Sequence, residues 1–241
     1  QAQTIVMERA WHGRTLATLA ATGSEKARKG FDPLPTGFLR VPYNDLAAVQ
    51  RVGDTDARVQ AVWLEVLQGE GGIQVADLDY LRALRSLCDQ RGWLLMVDEV
   101  QCGIGRTGKW FGYQWAGIQP DVVTLAKGLG SGMPIGAVLA RGKAAGVFGP
   151  GNHGTTFGGG PLACRAGLET LAIIADEKLM ENATARGAQI RAGFEREFKG
   201  LAGVKSVRGQ GLMLGIELDR PCGEIVKQAL AAKLLINVTQ D

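Results

Sequence analysis

The stretch that most constrains this chain is Trp93–Lys127, WLLMVDEVQCGIGRTGKWFGYQWAGIQPDVVTLAK. Its opening apolar run, Trp93 to Val97, reads as a buried strand and ends abruptly in two carboxylates, Asp98 and Glu99. A glycine-rich turn follows, and a second apolar run, Val122 to Ala126, closes on Lys127. Charge at the edge of an apolar core costs free energy unless something pairs with it. An acid closing one buried strand and an amine closing the next therefore call for a ligand that answers both.

Around this stretch, strand and helix patterns alternate. Residues 3–8 and 59–66 read as strands, the second running into QGEGG. Leu78, Leu81, Leu84 and Leu87 give 77–91 a helical stripe, with Asp77 to cap it and Gly92 to end it. Short helices are expected after Thr15 and over 45–52, and 23–45 is expected to be loop. Residues 135–140 read as a strand and 149–160 as a second glycine-rich loop. Two helices follow, over 161–175 and 177–198, the first with Pro161 in its opening turn. After Gly200 come strand–turn–strand, a helix over 223–233 and a strand opening at LLINVT. This alternation predicts an α/β fold with a mainly parallel central sheet sandwiched by helices. Residues 1–180 are expected to form a large domain, and 181–241 a linking helix and the start of a smaller α+β domain.

Composition removes several function classes. Net charge is +3, too small and dispersed for nucleic acid or a membrane surface. No apolar run approaches the roughly 20 residues that span a bilayer, and the first residues lack a signal-peptide pattern. The four cysteines form no CxxC pair, so neither a disulfide framework nor a zinc knuckle is expected, and a cytoplasmic setting is. His12 and His153 have no metal-ligand spacing and read as non-catalytic; no metal is expected. The 35 glycines gather at 69–72, 103–108, 128–136 and 149–160, where backbone approaches a ligand or turns tightly.

Pyridoxal 5'-phosphate answers both charges: its aldehyde takes a lysine amine, and its ring nitrogen takes an acidic partner. On this reading Lys127 is the Schiff-base lysine, its nucleophilicity raised by burial, and Asp98 keeps the ring nitrogen protonated. A rival reading takes GIGRTG, residues 103–108, as a nicotinamide-dinucleotide loop of an oxidoreductase. It fails on context, because no amphipathic helix opens at Gly108 and Lys127 stands where a strand-terminal acid is needed. Thr155 and Thr156, before the helix at Pro161, read equally well as phosphate ligands or as turn threonines. Trp11 is a stacking residue or core, and Arg14 a carboxylate ligand or a surface arginine.

The chain resembles the class III (ω-amino-acid) aminotransferases of the fold-type I pyridoxal-phosphate enzymes. The resemblance rests on WHGRT, LQGEGGI, LLMVDEVQCGIGRTG, PDVVTLAKGLGSGMPIGA, HGTTFGGGPLAC, VRGQGLMLGIEL and LLINVT. WHGRT, the cysteine in DEVQCG and LLINVT favour the branch that uses N-acetylornithine over those that use ornithine or γ-aminobutyrate. Succinylornithine and N-succinyl-diaminopimelate users share the same motifs.

The resemblance implies that Lys127 carries the cofactor and moves the proton, and that Asp98, with Glu99 beside it, meets the pyridine ring. It places Val100 on one ring face, Trp11 on the other and Gln101 at the ring hydroxyl. It assigns Arg14 to the substrate α-carboxylate, Thr156 to the phosphate and Thr155 to the substrate across a homodimer interface. Glu70 would gate between mono- and dicarboxylate substrates. The implied partners are small amino acids and 2-oxo acids, with 2-oxoglutarate as acceptor. Two departures are EVLQGE for EPxQGE, and Gly160 where an asparagine is usual. Members of the class are longer at both ends, so an internal piece is implied, and with it the alternative of a catalytically inert fragment.

Overall fold

A computed structural model describes residues 1–239. Its centre is a six-stranded sheet built from β1 (Gln3–Met7), β2 (Phe38–Val41), β3 (Val59–Glu65), β6 (Leu94–Asp98), β7 (Val122–Leu125) and β8 (Ala137–Ala140). The order is β2-β1-β3-β6-β7-β8, and every pairing is parallel except β7 with β8. The short strands β4 (Leu67–Gln68) and β5 (Gln74–Val75) pair with each other beside it. This is the mainly parallel α/β sheet expected from the alternation.

Most of the helices form where the sequence signals them. In the first part of the chain they are α1 (Leu16–Ala21), α2 (Glu25–Arg28), α3 (Leu46–Thr55) and α4 (Leu78–Arg91). Asp77 accepts a hydrogen bond from the Asp79 N–H at the start of α4, and Gly92 ends it in the left-handed region at φ 68°. Leu81, Leu84 and Leu87 from its buried stripe enter the main core with Ile5, Met7, Val62, Leu64, Leu95 and Val97.

Some elements differ from the sequence reading. Helix α2 lies inside 23–45, the segment expected to be loop, where the Ser24 hydroxyl caps it by accepting the Ala27 N–H. Phe38–Val41 is a strand inside the segment expected to be loop. Prolines and glycines dominate that segment, and four residues are too few to show alternation; pairing with β1 makes the strand. LLINVT is not a strand among the described residues. Leu235 is 86% exposed, and no described strand lies alongside to supply backbone partners.

The later part comprises α5 (Pro161–Asp176), α6 (Leu179–Glu197), the antiparallel hairpin β9 (Val204–Gln210)–β10 (Met213–Leu218) and α7 (Glu224–Ala231). The hairpin is a sheet of its own. It packs through Gly211, where an added Cβ would lie 2.6–2.7 Å from Thr107 backbone atoms. Gly187, inside α6, meets the same turn: its Cβ would lie 2.2 Å from the Gly211 carbonyl oxygen. Alanine normally gains a helix about 1 kcal/mol over glycine. Here overpacking against backbone, about 1–3 kcal/mol, wins. Gly187→Ala is therefore expected to destabilise, lowering the urea midpoint; a raised midpoint would show that the turn can yield.

Candidate active site

In open parallel sheets, ligands bind outside the carboxyl ends of the strands. Three parallel strands place chemistry there. Glu65 ends β3, Asp98 ends β6 directly opposite it in register, and Asp98 in turn faces Thr124 of β7. Lys127 follows three residues after Thr124. The loop after β1 brings Trp11 and His12 to the same edge.

Asp98 is 5% exposed and bound on both oxygens. His12 Nδ1 lies 2.8 Å from Oδ2, and the Val100 N–H donates to Oδ1 at 3.1 Å. His12 is itself buried and stacked on Trp63, with ring centroids 3.9 Å apart and 16° between planes. The sequence reading set His12 aside as non-catalytic; the structure makes it the side chain that holds Asp98. Nothing in the spacing foretold this, since 86 residues separate the pair.

Glu65, 2% exposed, is a residue the sequence does not single out: it sits inside an apolar run, with Val66 and Leu67 after it, rather than closing one as Asp98 does. Its Oε2 accepts the Trp11 N–H at 2.9 Å and its Oε1 the Gly69 N–H at 3.4 Å. Burial pushes its carboxyl up to about 8, with nearby Asp98 adding to the rise, while the Trp11 and Gly69 N–H groups and Lys127 oppose it. Glu65 thus joins the loop carrying Trp11 to the loop carrying Glu70.

Glu99 needs correction as a cofactor contact. It is fully buried, and its oxygens accept the Gly112 and Tyr113 N–H groups, both at 2.9 Å, and the Cys102 thiol at 3.1 Å. Its donors are all internal, and it anchors the turn at 112–115. Burial raises its pKa, and those three bonds pull against the rise.

Lys127 is also not as expected: it is exposed rather than buried, in the left-handed region at φ 41°. It borders a pocket with Ala126, Gly132, Met133, Pro134 and Ile135. A non-glycine residue at positive φ is uncommon and marks a functional or strained position. Arg14 is exposed, its guanidinium 4.6 Å from the Trp11 ring centroid. Thr155 and Thr156 lie in the exposed 147–160 loop, with no hydrogen bond to the strand-end cluster among the described residues.

A test of fit for a pyridine cofactor comes from the atoms left over. Gln101 Nε2 is buried with no hydrogen-bond partner, an arrangement that costs about 1–3 kcal/mol unless an acceptor arrives. The amide also fills the space where Gly69 would carry a Cβ, as close as 2.3 Å. An orphaned donor three residues past Asp98 and against Gly69, whose N–H binds Glu65, fits a ring with a hydroxyl.

GIGRTG does not cradle phosphates. Gly103 lies under Glu99, where a Cβ would sit 2.6 Å from the Glu99 carbonyl oxygen, and Gly108 faces Thr184 of α6 at 2.1 Å. The loop is a packing seam between the sheet, α6 and the hairpin, and no helix opens from it.

Fold and strand-end chemistry together define a fold-type I α/β architecture of the kind that pyridoxal-phosphate enzymes use. The chain belongs to the class-III aminotransferases, whose family model matches residues 1–240. It is 63% identical over 240 residues to acetylornithine aminotransferase 1 of Bordetella bronchiseptica, covering 100% of this chain and 61% of that protein. It is 57% identical over 237 residues to acetylornithine aminotransferase of Nitrosomonas europaea, covering 98% and 60%. Ornithine aminotransferase from Toxoplasma gondii superposes with a TM-score of 0.95 at 34% identity, over 100% of this chain and 57% of that one. The chain thus spans about three fifths of the length of the curated relatives it matches. No helix among the described residues is long and apolar enough to cross a membrane.

Proposed function

We propose that the whole protein is a cytoplasmic, homodimeric aminotransferase moving the δ-amino group of N-acetylornithine to 2-oxoglutarate through pyridoxal 5'-phosphate. The observation that carries the chemistry is the buried, doubly hydrogen-bonded Asp98 one strand from Lys127, beside the orphaned Gln101 amide. The name shared by the relatives at 57% and 63% identity supports the donor. On the same reading residues 1–180 form the cofactor-binding part and 181–241 open a second domain, supported by the hairpin's separate sheet.

When bound, the cofactor supplies an aldehyde for the amine and a ring that accepts electrons. Asp98, fixed by His12 and Val100, holds a proton at the ring nitrogen. Trp11 and Val100 would hold the ring from its two faces, and Gln101 Nε2 would donate to the ring hydroxyl. Lys127 holds the cofactor and moves the proton of the donor's δ-carbon, the exposed turn giving its amine reach. Arg14 binds the donor's α-carboxylate, and Glu70 distinguishes donor from acceptor. Thr156 and Thr155 serve the phosphate and the substrate of the opposite protomer, in keeping with a loop that stands clear of its own strand ends.

The test is peptide mapping of the full protein after pyridoxal phosphate and borohydride. A single adduct is expected on Lys127 and none in Lys127→Ala; an adduct elsewhere, or none, rejects the reading. Parallel assays of acetylornithine, succinylornithine, ornithine and γ-aminobutyrate then fix the donor.

A further inference from the structure

The hairpin β9–β10 carries one side chain whose bonding reaches far outside it. Arg208, on β9, donates from Nε to the carbonyls of Gly72, at 3.1 Å, and Ile73, at 3.0 Å, and from Nη2 to Gly72 again at 2.7 Å. Its remaining nitrogen, Nη1, bonds Ser206 at 2.9 Å and the Glu217 carboxylate. The carboxylate lies across the hairpin and is held below its usual pKa chiefly by that bond. The fork is thus oriented from within the hairpin and spent on two carbonyls 135 and 136 residues away.

Those carbonyls belong to a loop in an unfavourable conformation. Ile73 is β-branched yet sits at φ 51°, and Gly72 precedes it at φ 89°. A β-branched residue there is a genuine outlier, persisting only when its surroundings over-determine it. Its own loop and the hairpin supply those surroundings. The Gly72 and Ile73 N–H groups turn back onto the Gly69 carbonyl at 3.1 and 3.4 Å. Gly215 of β10 leaves open the space Ile73 fills, since a Cβ there would lie 2.9 Å from its side chain. Met213 of the hairpin is buried in the main core, with Ile73 packed against it.

We infer that Arg208 is a positioning residue: clamped by its own hairpin, it holds the 69–73 loop in its strained form and so sets where Glu70 stands. The functional half rests on the proposal that Glu70 meets substrate. The clamp itself rests on geometry alone. It couples the hairpin to the substrate side of the site, so that a displacement of the hairpin carries the loop with it.

The experiment uses the full protein with Arg208→Met and Arg208→Lys, the second keeping the charge without the fork. Hydrogen exchange at the Gly72 and Ile73 amides is expected to accelerate about tenfold or more in Arg208→Met and less in Arg208→Lys, with β1 and β3 amides unmoved. KM for both substrates is expected to shift in the direction that Glu70→Gln shifts it, with kcat changing less. Unchanged exchange in both folded variants overturns the clamp. Faster exchange with unchanged KM, where Glu70→Gln does change KM, overturns the coupling to Glu70. Faster exchange with KM insensitive to Glu70→Gln as well supports the clamp and retires the Glu70 reading instead.

Discussion

Asp98→Asn is expected to cost the full protein about 10³-fold or more in kcat while leaving it folded. The asparagine fills the same volume, and its carbonyl can still accept the Val100 N–H that Oδ1 accepts now. Its amide then faces His12 Nδ1, which meets it by shifting the proton to Nε2. That atom is buried without a partner in the structure, so the shift moves an orphaned atom from acceptor to donor and creates none. What is lost is the negative charge opposite a protonated ring nitrogen. An oriented charge in a water-excluded site is worth about 4 kcal/mol, or about three decades in rate. Steady-state kinetics with thermal unfolding separates the two effects. Near-normal kcat would remove Asp98 from the chemistry, and collapse of the fold would make it a structural acid only. His12→Gln is the companion. It leaves Asp98 charged but loosens it, and should lower kcat by less than Asp98→Asn does.

The same pair shows what the sequence can carry. Asp98 was legible because a carboxylate closing an apolar run is an energetic anomaly that local sequence displays. So was the parallel sheet, because strand and helix periodicities alternate openly, and α4, because its cap, stripe and terminal glycine lie within 16 residues of one another. His12 was not legible. Its role exists only because strand order brings the β1 loop over β6 and stacks the imidazole on Trp63. Glu99 shows the converse failure. Adjacency to Asp98 put it in the site, but successive residues at a strand end point to opposite sides, and this one turns inward to the 112–115 turn. Lys127 follows the end of β7, as the apolar run 122–126 leads one to expect, but it is exposed rather than buried, since a glycine-flanked turn leaves its amine outside the core. Thr155 and Thr156 lie in the exposed 147–160 loop, with no hydrogen bond to the strand-end cluster among the described residues, because a loop joining two elements carries no periodicity from which its position can be read.

Glu65→Gln is expected to reverse the sign of its effect with pH. Glu65 has a raised pKa in the folded protein, about 8, against an ordinary 4.5. Between those values the folded state keeps a proton that the unfolded chain releases. Stability therefore falls as pH rises through that window, by up to about 1.4 kcal/mol per unit, and levels off above pH 8. Glutamine carries no such charge. Near pH 5 it should be the poorer residue by about 1 kcal/mol, because its amide group faces the Gly69 N–H that a carboxyl oxygen accepts. Near pH 9 the wild type must either hold a carboxylate in a site 2% exposed or yield to the unfolded state, and Glu65→Gln should be the more stable by several kcal/mol. Urea unfolding at the two pH values reads the crossing directly. An equal difference at both would mean that Glu65 is charged throughout. That outcome would place two carboxylates in register at the ends of β3 and β6, with Lys127 as the neighbouring cationic group. The neutral form avoids that repulsion. It leaves Glu65 free to bind the Trp11 and Gly69 N–H groups while Asp98 alone carries the negative charge toward the ring nitrogen.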